Sequence, residues 1–342
     1  MPHSTRTAGT TFSLLFLASS LFAQPAPKTE PIIAPSAAEK NAVAATVNGQ
    51  AINESAVERA LQAVPMDERA KARNEVVQYL IDNVIIDQYL AALKITVAVK
   101  EVDDQLTTFK DEVKKSDQDY AAVLMKMKIT ETELREQINH QLCWEKFVAQ
   151  QATDEKLKAL FNHMPEAFDG TTIRARHLLL APGEDPKAKQ DAAAKLREIK
   201  TKIESDVAAG MAKLPADADS VTKEKAKREL LEDAFAEAAK QHSTCPSKTE
   251  GGDLKWFPRY GSMVEPFAKI AFALQPHQLS DVVPTPFGYH LILVVGRKPG
   301  MPTKFEDEKV KDAVKEVYEA RLKDAVIEQM KPRAKIEIVL NK

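Results

Sequence analysis

Apolar residues recur three and four positions apart through much of the first half of the chain, and the pattern changes character after Thr172. Between Asp67 and about Lys94, Val76, Val77, Leu80, Ile81, Val84, Ile85, Tyr89, Leu90 and Leu93 recur at helical spacing on a stripe wide enough to pack on more than one side. Val99, Val102, Leu106, Phe109 and Val113 predict a second amphipathic helix. Thr130 and Glu133 form a capping box that opens a third, carrying Leu134, Ile138, Leu142 and Phe147, and a short helix near Glu155 to Phe161 follows. Ahead of these, Ala44 to Ile52 reads as extended chain around an Asn48-Gly49 turn, with Asn53 as the N-cap of the next helix.

From Thr172 to Arg297 strands and helices mix. Ile173 to Leu180 is strand-like, Pro186 to Met211 and Val221 to His242 are helical, Val264 to Leu274 is a short apolar helix, and strand signals return at Val282-Val283 and His290 to Val295. This order, β-α-α-α-β-β, is α+β rather than doubly wound. A helix over Glu306 to Met330 and an alternating strand over Lys335 to Leu340 close the chain. A lone strand is not stable alone, so its partner is expected around Thr46 to Ile52, at the other end of the sequence.

The chain has 342 residues, enough for two cores, and a formal net charge of -2. That balance gives no basic field for nucleic acid. Eleven glycines and nineteen prolines argue against an all-β fold with many tight turns. At the N-terminus, Arg6 precedes the apolar Phe12 to Phe22 and the small Ala23, the pattern of a cleavable signal peptide. The run is shorter than the about 20 residues that cross a bilayer, so no integral membrane segment is expected in the mature chain. Gln24 to Lys40 is a Pro/Ala-rich linker. Export would carry Cys143 and Cys245 into an oxidising compartment, but nothing in the sequence brings the two together.

Two separated segments carry the candidate chemistry. His177 and His290 lie on apolar strands, Cys245 lies in a polar turn, and Leu254, Phe257, Met263 and Phe267 supply large apolar side chains between them. That set suits an enzyme acting on an uncharged bond in a small apolar pocket. An X-Pro peptide bond is one such target: amide resonance opposes rotation by about 18–20 kcal/mol. Holding the proline, excluding water and favouring the twisted state needs neither nucleophile nor metal, and about 1.4 kcal/mol of differential binding gives each tenfold in rate.

Three motifs in order, His177-Leu178-Leu179-Leu180, Cys245-Pro246-Ser247 with Gly251-Gly252-Asp253-Leu254, and Phe287-Gly288-Tyr289-His290-Leu291-Ile292, resemble the parvulin family of peptidyl-prolyl isomerases over roughly Ile173 to Arg297. The resemblance implies a polar centre of His177, Cys245 and His290, with the histidines hydrogen-bonded to each other in a fixed tautomeric arrangement. It implies a proline pocket of Leu254, Phe257, Met263 and Phe267, and a cleft also lined by Thr285 and Phe287. Many family members carry Asp in place of Cys245, so the resemblance points away from covalent catalysis. Lys255 and His277 stand where the family commonly has glycine, a residue that supplies positive φ, so those loops are expected to be strained or rebuilt. Ala208 to Glu232 is extra sequence, and Ala181-Pro182-Gly183-Glu184 replaces the basic residues of phosphate-directed parvulins.

The flanking segments are similar to the SurA and PrsA class of extracytoplasmic foldases. The expected organisation is a signal peptide at 1–23, a linker at 24–40, a helical chaperone-like region at 41–171, an inserted parvulin-like domain with a small antiparallel sheet at 172–299, and a helix and strand at 300–342 completing the chaperone-like domain. The expected function is that of a periplasmic isomerase and chaperone acting on unfolded exported or outer-membrane polypeptides, with no cofactor or metal. The competing reading is a holdase whose parvulin-like domain only grips clients. From the residues alone, His177 and His290 could also be core histidines, the Cys245 and histidine set a zinc site, or Cys245 a thiol nucleophile.

Overall fold

The computed structural model describes residues 42–183 and 185–339, so the expected signal peptide and linker, with Glu184 and Leu340, lie outside the described residues. The chain divides into two compact units, one formed by residues up to Gln151 together with Ala320 onward, the other by Ala152–Glu319.

In the first unit, β1 (Val43–Val47) turns through Asn48 and Gly49 into β2 (Gln50–Asn53). Both turn residues have positive φ, 52° and 85°, the conformation a two-residue hairpin requires. The C-terminal strand β7 (Ile336–Ile338) pairs antiparallel with β1, Ala45 opposite Ile338, giving sheet order β2-β1-β7. Five helices follow the hairpin: α1 (Glu54–Leu61), α2 (Arg69–Ala92), α3 (Val99–Lys115), α4 (Tyr120–Met127) and α5 (Glu131–Gln151). The wide stripe on α2 is used twice. Val77, Ile81 and Ile85 pack on the hairpin with Ala44 and Val47, whereas Ile86 and Leu90 pack with Cys143 and Phe147.

Thr130 and Glu133 form the expected capping box, with the Glu133 amide donating to Thr130 Oγ1 at 3.2 Å and the Thr130 amide to Glu133 Oε2 at 2.8 Å. Asn53 occupies the N-cap of α1 but makes no side-chain cap bond; the Glu54 amide instead donates to the Ala42 carbonyl. The short helix α4, absent from the sequence expectation, is held by Asp119, which accepts from the Ala122 amide.

The second unit contains α6 (Asp154–His163), β3 (Thr172–Leu180), α7 (Pro186–Met211), α8 (Ser220–His242), β4 (Asp253–Pro258), α9 (Glu265–Ala273), β5 (Val283–Thr285), β6 (Gly288–Lys298) and the first part of α10 (Glu308–Met330). Its antiparallel sheet has the order β4-β3-β6-β5. One sheet face, with Ile173, Ala175, Phe257, Ile292 and Val294, packs on α9. The other, with Leu178, Leu291 and Leu293, packs on α7 and α8. Strand β4 is a correction to the order read from sequence. Its alternation is broken by a bulge where Arg174 pairs with Trp256 and Arg176 with Asp253. The extra sequence forms the end of α7, a connecting turn, and the first half of α8.

Candidate active site

The period of two along a strand places His177 on the face of Ile173 and Ala175, and His290 on the face of Ile292 and Val294. Register does the rest: His177 is paired with Ile292 and Leu179 with His290, so the two histidines are diagonal neighbours across β3 and β6. Their rings stack with centroids 5.4 Å apart and their Nδ1 atoms lie 3.2 Å from each other. Both are almost fully buried, at 6% and 4% exposure. Burial pushes the His177 ring down to about 4. Burial, with repulsion from His177, does the same for His290. Both rings are therefore neutral at pH 7, and each has one N–H and one acceptor nitrogen.

The outer nitrogens are each met by a hydroxyl. His290 Nε2 lies 2.9 Å from Thr285 Oγ1, and His177 Nε2 lies 3.0 Å from Ser247 Oγ. Thr285 belongs to the sequence expectation, whereas Ser247 does not. Ser247 stands in the Cys-Pro-Ser motif, where a hydroxyl next to a turn gives no sign of reaching a strand histidine.

Phe267 of α9 sets its ring edge against both imidazoles, 5.8 Å from His177 and 5.3 Å from His290. Phe257 backs it at 6.3 Å, and Leu254 and Met263 pack on the same core, half-buried. An arginine–carboxylate pair positions this helix. Arg259, nearly buried, donates through both terminal nitrogens to the Glu265 carboxylate at 2.7 and 2.8 Å, tying the first turn of α9 to the end of β4.

The remaining two expected residues sit differently. Cys245 is half-buried at the entry of a 3-10 turn (Pro246–Glu250), and its amide donates to Ser243 Oγ. Its sulfur makes no hydrogen bond among the described residues, so the structure does not place it in the network of the histidines. Phe287 is 63% exposed in the turn between β5 and β6, where its amide donates to Thr285 Oγ1. Both cysteines are free thiols.

The turn that carries Cys245 and Ser247 is fastened from below. The Gly252 amide donates to the Ser247 carbonyl and the His177 amide to the Gly252 carbonyl, each at 2.9 Å. Gly252 has φ 77°, and a Cβ there would lie 2.1 Å from the His177 carbonyl oxygen, so no other residue fits. Arg176 donates to the Glu250 and Gly251 carbonyls. Asp253, buried, accepts from Arg174 Nη2 at 2.6 Å and from the Lys255 amide at 2.9 Å; the Arg174 guanidinium holds its carboxyl far below the usual range. Lys255 and His277 do adopt positive φ, 60° and 62°. Lys255 adds bonds from its ammonium to Glu250 and Asp253, a local compensation for that conformation.

A separate cleft of about 1000 Å³ runs along α8, lined by Glu224, Arg228, Glu229, Glu232, Asp233 and His277. Its walls are mainly charged and contain none of the residues around the histidine pair, so it is no place for a proline ring. Among the described residues no group of side chains is arranged to hold a metal ion, and no helix is long and apolar enough to cross a membrane.

A family model described as PPIC-type PPIase domain matches residues 206–296, which include Ser247, Phe267, Thr285 and His290 but not His177. A second, described as SurA-like N-terminal domain, matches residues 32–148. The foldase protein PrsA of Bacillus subtilis is 27% identical over 270 residues, covering 77% of this chain and 73% of that protein. The chaperone SurA of Methylococcus capsulatus is 35% identical over 134 residues, 39% of this chain and 23% of its own. The peptidyl-prolyl cis-trans isomerase Pin1 of Digitalis lanata is 43% identical over 72 residues, 20% of this chain and 60% of its own. An apolar pocket beside two neutral histidines, in a chain that matches a PPIC-type PPIase domain and, ahead of it, a SurA-like N-terminal domain, marks a parvulin-type peptidyl-prolyl isomerase similar to the PrsA and SurA foldases.

Proposed function

We propose that the isomerase works outside the cytoplasm, in the periplasm, on unfolded exported polypeptides including outer-membrane proteins. The catalytic groups are His177, His290 and Cys245, and Leu254, Phe257, Met263, Phe267, Thr285 and Phe287 receive the substrate. The observation that carries this reading is the neutral histidine pair set against the edge of Phe267.

Neither ring is charged at pH 7, so neither needs a counter-ion or attracts one into the pocket. The proline ring enters against Phe267 and Met263. The imide loses water, which raises the planar state relative to the twisted one because the planar, resonance-stabilised amide is the more polar of the two. A hundredfold acceleration requires about 2.7 kcal/mol of such discrimination, within reach of an apolar cup and one or two hydrogen bonds.

We place the isomerase domain at residues 172–299, inserted in a chaperone-like domain made of 41–171 and 300–342. Backbone bonds between Met301 and Asp169, and between Gly300 and the Thr171 hydroxyl, support an insertion whose entry and exit are neighbours. The test is refolding of a protein limited by proline isomerisation. Acceleration by the wild-type protein, lost on Phe267→Ala, supports the reading, and no acceleration by the wild type removes it. Suppression of client aggregation that survives His290→Ala would assign the chaperone role to the other domain. The periplasmic assignment is tested by fractionating cells that express the full chain: recovery in the cytoplasm would overturn it.

A further inference from the structure

We infer that Arg297 is a positioning residue for the isomerase: from the end of β6 its guanidinium caps the last turn of α9 and so holds Phe267 in the pocket, with Glu166 orienting the guanidinium from the turn ahead of β3. This rests on the reading of Phe267 and the histidines as the isomerase site. Both Arg297 and Glu166 lie outside the residues 206–296 matched by the isomerase family model.

Helix α9 is nine residues long, shorter than the about 12–15 at which an isolated helix becomes even marginal, so its place is set by what holds its ends and its buried face. The middle of that face is Ala268 and Ala271, both fully buried. Such small side chains let the helix backbone come close to the sheet and give little that interlocks. Phe267 and Phe272, near the two ends, are the large buried side chains of the helix. Arg259 secures the first turn through Glu265, and the last turn needs a fastening of its own.

The sequence removes the ordinary one. A helix leaves its last carbonyls without intrahelical donors. The Leu274 amide returns to the Ile270 carbonyl at 3.2 Å, and the chain then turns extended at Leu274, with ψ 144°. Four residues beyond Phe272 stands Pro276, which has no N–H, and the Gln275 amide donates to Gln278 Oε1 instead. The Phe272 carbonyl is thereby denied a backbone donor at the end of a helix that is buried against the sheet. Arg297 Nη2 donates to that carbonyl and reaches the Leu274 carbonyl at 3.3 Å. A cation at a helix C-terminus is also favoured by the helix dipole. The Phe272 ring lies 5.6 Å from the Arg297 guanidinium carbon and 5.9 Å from that of Arg259, so the two fastenings of α9 share one ring.

Glu166, in the 3-10 turn Pro165–Ala167, approaches Arg297 Nη1 at 4.0 Å. With side chains 22% and 35% exposed, that pair is a weak link beside the carbonyl caps, and its part is to orient the planar guanidinium. The proline pocket is thus set partly by residues that touch neither the histidines nor the substrate.

The test is kcat and KM of the full-length protein on a short peptide with one X-Pro bond, together with the ring-proton resonances of His177 and His290, which lie within the ring-current field of Phe267. Arg297→Met should lower kcat about tenfold with KM nearly unchanged, and should move both histidine resonances. Arg297→Lys, which keeps a donor for the Phe272 carbonyl, should lie closer to the wild type in both readouts. Glu166→Gln should cost about twofold in kcat and add nothing in the Arg297→Met background. Ile203→Val, in the core on the opposite sheet face, serves as the purely structural control: a lower melting temperature with kcat and the resonances kept. A wild-type kcat or unmoved ring resonances in Arg297→Met overturns the inference. Should Arg297→Met fail to fold, wild-type values of both readouts in Arg297→Lys and Glu166→Gln alike overturn it. An inactive wild type would remove the isomerase reading, while the resonances would still report whether Arg297 sets the place of α9.

Discussion

His177 and His290 meet nitrogen to nitrogen at 3.2 Å, a contact that exists only while at least one of the rings is neutral. Their pKa values near 4, against 6.5 for an unperturbed ring, mean that the unfolded chain binds more protons than the folded one between those values. Stability therefore rises with pH across that window and is lost as pH falls from about 6.5 towards 4. Each ring accounts for at most roughly 3 kcal/mol of that loss. The contribution of Asp253 has a different window: its carboxyl is depressed by Arg174, so its share is intact above 3.8 and is lost only below that. Urea midpoints measured from pH 7 to 4 should fall, and His177→Asn with His290→Asn should flatten the fall. A wild-type profile flat over that range would contradict the buried neutral pair.

Removing the ring of Phe267 should affect activity and stability together. The side chain is 2% exposed and touches both histidines and Phe257, so Phe267→Ala leaves a cavity costing about 3–5 kcal/mol. Met263, half-buried at the edge of the same core, offers a cleaner probe. Met263→Ala should lower the isomerase rate at least tenfold while costing less than Phe267→Ala in a denaturation curve.

Two glycines with similar φ should respond differently to alanine. At Gly252 a Cβ would meet the His177 carbonyl at 2.1 Å, whereas at Gly49 it would meet nothing within 4 Å. Gly49→Ala should cost only the left-handed backbone penalty, on the order of 1–2 kcal/mol, with isomerase activity kept. Gly252→Ala should displace β3 from the turn that carries Ser247 and abolish activity. Thermal melts and the refolding assay on both variants check this.

His277 is expected to be improvable. It has φ 62°, and its Nδ1 is buried without a hydrogen bond, 3.4 Å from a Glu232 oxygen. His277→Gly removes both the backbone strain and the buried nitrogen that makes no hydrogen bond, and should raise stability by about 1 kcal/mol, read as a higher melting temperature.

What the sequence made legible follows from what kind of force sets each element. The helix over Pro186–Met211 was readable to the residue because Pro at its first turn and a long apolar period act locally. The β1 and β7 pairing was readable because the C-terminal strand had no neighbouring strand in sequence and the N-terminal hairpin left one edge to fill. Strand β4 was not, because its alternation is broken where Lys255 turns through positive φ. The helix Tyr120–Met127 was missed because eight residues, only Val123 of them buried, leave too little period to detect. Of the site, the histidines, Phe267 and Thr285 were legible through the spacing of motifs. Ser247, and the ion pair of Arg259 with Glu265, depend on how a turn and a helix end meet the sheet, and no local pattern encodes that.

The pairing of Thr172 with Lys298, at the two ends of the inserted sheet, has a consequence for the order of folding. Once that sheet has formed, the stretch between its ends no longer lengthens the loop that bringing β7 back to β1 must close, a saving of only about 0.5 kcal/mol because closure entropy grows slowly with length. The hairpin of β1 and β2 must wait for a third strand that follows the whole isomerase sheet in the sequence. Every strand of the β4-β3-β6-β5 sheet precedes β7, so in a chain folding from its N-terminus that sheet can be complete while the β2-β1-β7 sheet still lacks an edge.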